Sequence, residues 1–121
     1  MLKTAAEMIK EAQKHIECVD VATAKKIYEG DPDAIIVDVR EAHNANESKL
    51  SGSVHISRGL LEMKIHQVCP QASTAILTHC GGGGRASLAA HTLQQLGYQN
   101  VYAITAPYDE IKESFDQKSV T

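Results

Sequence analysis

The sequence predicts an open α/β domain in which a small, mostly parallel β-sheet is flanked by helices on both faces. Short apolar, β-branched runs alternate with segments of helical spacing, a pattern typical of parallel sheets. The 121 residues suffice for one ordinary domain but not for two. Hydrophobic residues make up 43% and charged residues 22%, so a packed core can form. We therefore expect a single domain over 1–121, with its core at about 19–116 and an additional N-terminal helix within 1–18.

The first elements follow from the spacing of apolar residues and from the turn residues between them. Apolar residues recur at helical spacing in 4–18, which predicts an amphipathic helix. Asp20 is a candidate N-cap and Gly30 a stop signal for a second helix over 21–29. The apolar, β-branched run at 34–37 follows turn residues and predicts a buried strand.

Similar signals predict the rest of the chain. A helix is expected at 86–96, where small and apolar residues share one face and Gly97 follows the last turn. Pro70 ends another helix at 60–68. The remaining predicted segments are a polar loop at 41–52, strands at 54–56, 75–78 and 101–104, and a helix at 108–116.

Composition excludes several classes of function. The formal net charge is −3 and no run of basic residues occurs, so we expect neither nucleic acid nor an acidic membrane as a partner. No apolar stretch approaches the ~20 residues that cross a bilayer, and charged residues interrupt the segment where a secretion signal needs an apolar core. We therefore expect a cytoplasmic protein. The three cysteines form no C-x-x-C pair and predict neither a disulfide framework nor a metal site.

The segment most informative about chemistry is THCGGGGR at 78–85, between a predicted buried strand and the helix after it. Sites in open parallel sheets form beyond the carboxyl ends of the strands. Four glycines leave the backbone N–H groups unobstructed and accept the φ angles of a tight loop. The loop can therefore form an anion-binding concavity around Cys80, to which the amino end of the helix near Arg85 adds positive charge. Such a setting favours a thiolate and thus an activated nucleophile.

A plainer interpretation of the same residues also exists. An isolated cysteine in a small protein is usually a buried apolar side chain, and a glycine run alone is often a flexible turn. The combination of strand, cysteine, glycine loop, arginine and helix favours the nucleophile at Cys80. Cys18 and Cys69 lack this setting, and a structural role is expected for both.

Four segments in the same order resemble the single-domain rhodaneses over about 18–105. The first is a strand that ends in Asp-x-Arg-Glu, and the second runs from Gly to Arg-Gly. The third is the loop between cysteine and arginine, and the fourth joins the helix after it to the next strand. These segments are IIVDVRE at 35–41, GSVHISRG at 52–59, HCGGGGRAS at 79–87 and LQQLGYQNV at 93–101.

The resemblance implies a sulfurtransferase that works through a persulfide on Cys80. Cys80 would take sulfane sulfur from a small donor such as thiosulfate and pass it to cyanide or a thiol, without a cofactor. Four residues separate Cys80 from Arg85, whereas protein tyrosine phosphatases have five, so a phosphatase is less expected. The persulfide would be stabilised by the backbone of the loop, which Arg85 closes: Gly81, Gly82, Gly83, Gly84 and Arg85.

Other polar residues have both a structural and a functional interpretation. Asp38 and Arg40 are expected to hold the loop at the end of their strand rather than to contact substrate. Arg58 would either attract an anionic donor to the mouth of the site or form a surface ion pair. His79 precedes Cys80, and adjacent strand residues point to opposite faces of a sheet. We therefore expect His79 to be packed or hydrogen-bonded rather than to act as a base.

Three functions remain open on the sequence alone. The first is an enzyme that uses a small sulfur donor. The second is a persulfide carrier or regulatory module that hands sulfur to a protein partner. The third is a non-catalytic interaction domain, against which the presence of Cys80 argues. The oligomeric state is also open between monomer and homodimer, because the N-terminal helix could cap the sheet or form a dimer contact.

Overall fold

A computed structural model describes residues 1–116 as a five-stranded, all-parallel β-sheet with the strand order β1-β5-β4-β2-β3. The predicted fold class is confirmed. A short 3-10 turn at Arg58–Leu60 leads into α4. The strands are β1 (Glu17–Val19), β2 (Ile35–Asp38), β3 (Val54–His55), β4 (Ala75–His79) and β5 (Asn100–Ile104). The helices are α1 (Ala5–Gln13), α2 (Val21–Gly30), α3 (Ala42–Glu47), α4 (Leu61–Val68), α5 (Gly84–Leu96) and α6 (Tyr108–Asp116).

Capping groups in the sequence mark the starts of α1 and α2 and the end of α5. Thr4 and Glu7 form a reciprocal capping box at the start of α1. The side chain of Asp20 accepts the N–H of Thr23 at 2.8 Å, which caps α2 as predicted. After α5 the chain turns at Gly97, whose φ of 113° is favourable only for glycine.

Alternate side chains of the strands divide the core between the two faces of the sheet. On one face the strands pack against α4 and α5, with Leu61, Ile65 and Leu93 among the buried residues. On the other face they pack against α2 and α6, with Ala24 and Ile111 buried. Helix α1 lies against α5, outside the sheet. None of the helices in the described part of the chain is long and apolar enough to cross a membrane.

Two sequence-based predictions were wrong. The predicted helix at 4–18 ends at Gln13, because the chain then forms β1, which pairs with β5. Ile16, which fits the helical spacing, packs against the core of the sheet instead. The predicted loop at 41–52 contains the short helix α3, which has no apolar periodicity and a single buried residue. In both places tertiary contacts decide a local structure that intrinsic preference leaves open.

The strand order places β2 and β4 side by side at the centre of the sheet, with Asp38 opposite His79. From β2 the chain continues outward to β3, and from β3 it returns to the other side of β2. The connections therefore diverge beyond the carboxyl ends of β2 and β4, where open α/β sheets leave a crevice. Cys80 directly follows β4 and lies at this edge.

Candidate functional site

The Cys80 sulfur lies beneath a loop whose backbone N–H groups point at it. The N–H of Gly83 donates to Sγ at an N···S distance of 3.1 Å, and the N–H of Ala86 donates at 3.3 Å. Cys80 is only 1% exposed. Helix α5 begins at Gly84, so the sulfur also faces the positive end of a helix of 13 residues. This environment favours negative charge on the sulfur.

The loop requires glycine at the position that turns the chain into α5. Gly83 has a φ of 97°, and a Cβ there would lie 3.1 Å from the Cα of Thr105. Both the backbone conformation and the close approach of the neighbouring chain therefore exclude a larger residue. By contrast, a Cβ at Gly82 would meet nothing within 4 Å. Gly81 and Gly82 are exposed and leave the mouth of the loop unobstructed.

Arg85 brings a positive charge to the same loop. It is half-buried in the first turn of α5, and its Nη2 atom lies 3.8 Å from the position that a Cβ on Gly81 would occupy. Within residues 1–116 the guanidinium forms no ion pair and no side-chain hydrogen bond, so its charge is available to an anion held by the loop. The structure thus brings together Cys80, the four glycines and Arg85.

Asp38 and Arg40 form a buried ion pair at the carboxyl end of β2. Arg40 Nη2 lies 2.8 Å from Asp38 Oδ2, and Nε lies 3.0 Å from Oδ1. Burial opposes ionisation of Asp38, but the hydrogen bonds from Arg40 outweigh it and the pKa of the carboxyl lies below its usual value. Arg40 also donates to the carbonyl of Ser48 at 2.6 Å. The pair therefore fixes the loop after β2.

Tyr108 connects this ion pair to the cysteine loop. Its ring lies under the Arg40 guanidinium at 3.9 Å, and its hydroxyl is hydrogen-bonded to the side chain of Ser48 at 2.8 Å. Its backbone N–H donates to the carbonyl of Gly81 at 3.2 Å. Tyr108 thus contacts both strand-end loops of the site. The sequence contained no signal for this role, since Tyr108 belongs to none of the four motif segments.

His79 is packed, as predicted, on the face of the sheet opposite Cys80. It is fully buried, and its ring lies 5.9 Å from the ring of Tyr108 at an interplanar angle of 23°. Burial lowers its pKa to about 4, although the nearby Asp38 carboxylate opposes this effect. Neither ring nitrogen has a hydrogen-bond partner among residues 1–116. His79 is therefore a neutral imidazole that does not contact the Cys80 sulfur.

Arg58 lies away from the cysteine loop. Its guanidinium pairs with Glu62 at 3.1 Å and donates to the side chain of Thr92 at 2.8 Å. Thr92 is eight residues beyond Gly84, about 12 Å along the axis of α5. This geometry favours the ion-pair interpretation of Arg58 over contact with substrate.

The other two cysteines, Cys18 and Cys69, differ in how far they are buried. Cys69 is buried after α4, and Cys18 is exposed on the edge strand β1. Among the described residues, no backbone N–H donates to the sulfur of Cys18 or Cys69, in contrast to Cys80. In the described part of the chain, no three His, Cys, Asp or Glu side chains come close enough together to hold a metal ion.

Contacts from distant segments complete the surroundings of the loop and were missed by the motif-based prediction. The carbonyl of Gly83 accepts a hydrogen bond from the hydroxyl of Ser87 at 2.7 Å, and that hydroxyl accepts one from the side-chain amide of Gln13. Ile9 lies against Gly84. Ser87 belongs to the motif at 79–87, but nothing in the sequence links 9–13 to the cysteine loop.

The fold and the site together define a class of protein: a parallel α/β domain that holds a thiol in an amide-lined loop between a central strand and a helix. The chain belongs to the rhodanese-like domain family, whose sequence model matches residues 6–114. The match extends beyond the 18–105 expected from the motifs.

Known proteins similar to this chain include one named for its activity. The thiosulfate sulfurtransferase GlpE of Tolumonas auensis is 24% identical over 78 residues, which cover 64% of this chain and 72% of that protein. A Rhodopseudomonas palustris protein of unknown function, a possible tyrosine phosphatase, is similar in structure with a TM-score of 0.79 and 27% identity over 94% of this chain and 92% of that one. The polysulfide-sulfur transferase homodimer of Wolinella succinogenes has a TM-score of 0.72 at 22% identity, over 88% of this chain and 80% of that one. At 22% identity, the similarity to the Wolinella succinogenes protein shows a shared fold.

Proposed function

We propose that this protein is a sulfurtransferase that carries sulfane sulfur as a persulfide on Cys80. The main support for this proposal is the position of the Cys80 sulfur. At the amino end of α5, the sulfur accepts hydrogen bonds from the N–H groups of Gly83 and Ala86. The same donors suit a thiolate before transfer and a persulfide anion after it. Membership of the rhodanese-like family and the similarity to a thiosulfate sulfurtransferase support this chemistry.

The reaction would proceed in two displacements at sulfur. The Cys80 thiolate attacks the outer sulfur of thiosulfate, forming a new S–S bond while the S–S bond of thiosulfate breaks and sulfite leaves. The acceptor, cyanide or a thiolate, then attacks the outer sulfur of the persulfide, and the Cys80 thiolate leaves with the electron pair of that bond. Thiocyanate or a new persulfide is the product. The electrons balance within the two displacements, so the cycle needs no added oxidant or reductant.

Arg85 would attract the donor and neutralise the charge that moves through the loop. Its guanidinium lies next to Gly81 and forms no ion pair within the described residues. Because Cys80 is 1% exposed, a donor has to reach the sulfur through the loop itself, past Gly81 and Gly82. A slender sulfur chain fits this approach better than a bulky group does.

The composition of the loop also favours a second candidate, in which a partner protein delivers the sulfur as a persulfide. Arg85 is the single cationic side chain in 80–85, and Arg58 is engaged with Glu62 and Thr92. A thiosulfate dianion therefore gains less from this loop than from a site with several cations, whereas a persulfide monoanion needs less compensation. The two candidates share the Cys80 persulfide and differ in its donor.

The intact mass of the reduced protein, measured after incubation with thiosulfate and again after cyanide, tests the proposal. We expect the wild type to gain one sulfur atom and cyanide to remove it. Cys80→Ser is expected never to gain the atom, whereas Cys18→Ser, the same substitution at an exposed cysteine, should behave as the wild type does.

The other outcomes of this measurement separate the candidates. If thiosulfate loads no sulfur but an organic persulfide does, the partner-delivered route replaces thiosulfate. If neither donor loads Cys80, the sulfurtransferase proposal is wrong. Hydrolysis of p-nitrophenyl phosphate by the wild type and not by Cys80→Ser would then identify a phosphatase.

A further inference from the structure

A chain of hydrogen bonds runs from α1 to the carbonyl of Gly83, the residue whose N–H contacts the Cys80 sulfur. The side-chain amide of Gln13 donates to the hydroxyl of Ser87 at 3.1 Å, and that hydroxyl donates to the carbonyl of Gly83 at 2.7 Å. The N–H of the same Gly83 donates to Cys80 Sγ at 3.1 Å. The side chains of Gln13 and Ser87 thus connect α1 to Gly83, whose N–H stabilises charge on the sulfur.

A second contact from α1 covers the first turn of α5. A Cβ on Gly84 would lie 2.8 Å from the Cδ1 atom of Ile9, so the Ile9 side chain rests directly on the bare Cα of Gly84. Ile9 and Gln13 are four residues apart and therefore lie on the same face of α1. That face is turned toward the loop.

Helix α1 packs mainly against α5. Ala12 is the buried residue of the helix, and the ring of His15, just beyond its end, stacks on His91 with centroids 5.0 Å apart. The rest of α1 is largely exposed and adds little to the main core. This helix therefore contributes mainly to α5 and to the loop in front of it.

We propose that α1 belongs to the active-site machinery and that Gln13 and Ile9 are positioning residues for Gly83, whose two flanking peptide groups face Ser87 and the Cys80 sulfur. The inference rests on the proposed function, in which Cys80 is the nucleophile. Gly83 has a φ of 97° and lies in a run of glycines, which allows its peptide groups to rotate more freely than in other residues. The backbone N–H of Ser87 and the Ser87 hydroxyl both donate to the Gly83 carbonyl, at 3.0 and 2.7 Å. Gln13 donates to that hydroxyl and so holds it in the donating orientation. Hydrogen bonds in such a chain strengthen one another.

The experiment compares Gln13→Met with Gln95→Met by the rate at which iodoacetamide alkylates Cys80 across a range of pH. Methionine keeps the length of the side chain and removes the amide donor. Gln13 and Gln95 are both exposed, so both variants should fold, but Gln95 lies in the last turn of α5, far from the loop. Alkylation is read for each cysteine separately by peptide mass spectrometry, with the exposed Cys18 as an internal reference.

We expect Gln13→Met to slow alkylation of Cys80 about threefold at neutral pH, the size of one net hydrogen bond, and to move the pH profile upward. Gln95→Met should match the wild type, and the rate at Cys18 should not change in either variant. Because the two bonds act in series, Gln13→Met should have no further effect in a Ser87→Ala background. Identical pH profiles for Gln13→Met and the wild type, or additive effects of the two substitutions, would overturn the inference.

Sulfur loading by thiosulfate or an organic persulfide, measured on the same samples, separates this inference from the proposed function. If the wild type loads no sulfur while Gln13→Met still shifts the alkylation profile, the sulfurtransferase proposal fails and the role of α1 stands. If the wild type loads sulfur and Gln13→Met leaves the alkylation profile unchanged, the proposed function stands and α1 is only a structural element.

Discussion

The buried Arg40 contacts three residues of the site, each in a different way. It forms a two-point ion pair with Asp38, donates to the carbonyl of Ser48 and lies over the ring of Tyr108. The planar guanidinium suits all three contacts at once, which a lysine ammonium could not match. The loop after β2 and the start of α6 therefore depend on one buried side chain.

Replacement of Arg40 by methionine is expected to lower the free energy of unfolding by about 3 kcal/mol or more, because Asp38 would remain buried without its partner. Denaturant titration followed by circular dichroism measures this loss. Arg58→Met removes the partly exposed ion pair with Glu62 and is the matched control, with an expected cost of about 1 kcal/mol or less. Equal losses in the two variants would contradict the special role of the buried pair.

The loop between β4 and α5 contains glycines with different requirements. Gly83 has a positive φ and a close neighbour in the backbone of Thr105, whereas Gly82 has neither. The carbonyl of Gly81 accepts a hydrogen bond from the N–H of Tyr108. The run of four glycines therefore contains one position, Gly83, that needs glycine for its conformation, and another, Gly84, that needs it for the contact with Ile9, while the other two need it less.

We expect Gly83→Ala to destabilise the protein by about 1–3 kcal/mol and to abolish or strongly reduce sulfur loading, since the strained residue would turn its N–H away from the sulfur. Gly82→Ala should stay within about 1 kcal/mol of the wild type and retain loading. Thermal unfolding and the mass gain after thiosulfate, measured on both variants, test the contrast. Equal behaviour of the two alanine variants would refute it.

The loop and its supports differ in how far the sequence predicts them. Cys80, the glycines and Arg85 are contiguous, and they follow a buried strand and precede a helix, so local pattern suffices to bring them together. Most elements are predicted for the same reason. The edge strand β1 and the helix α3 are missed because their apolar content is too small for periodicity to show, and pairing or packing with distant residues decides them.

The supports of the site come from segments far away in sequence. Ile9, Gln13 and Tyr108 reach the loop from the two ends of the chain, and no spacing rule relates them to Cys80. Arg58 shows the opposite case: its segment matches a motif, but its side chain is engaged with Glu62 and Thr92. Motifs therefore indicate the residues of the loop, while the contacts around it require the fold.

The buried His79 is expected to make the free energy of unfolding depend on pH. Its pKa is lowered to about 4 in the folded protein by burial, from an ordinary value near 6.5. Between these values the unfolded chain binds a proton that the folded protein does not, so the stability is fully present above about pH 6.5 and is lost as the pH falls toward 4. Asp38, Arg40 and Tyr108 are the titratable groups around the ring.

The free energy of unfolding, measured by denaturant titration from pH 7 to pH 4, should therefore fall by a contribution on the order of 3 kcal/mol from His79. His79→Phe keeps a ring against Tyr108 and removes the titrating group, so the slope should flatten. At pH 7 this variant should be about as stable as the wild type, since the ring nitrogens have no partners within the described residues. An unchanged slope in His79→Phe would assign the pH dependence to other groups.

The pairing of β1 with β5 has a consequence for the order of folding. Glu17 lies opposite Tyr102, so this edge of the sheet joins two segments from near the two ends of the chain. Contacts between such distant segments form late, because the entropy of closing a long loop must be lost before they contribute. On the ribosome β1 can pair only after β5 has emerged, because β5 is its partner in the sheet. The cysteine loop is therefore made before the β1 edge of the sheet can form.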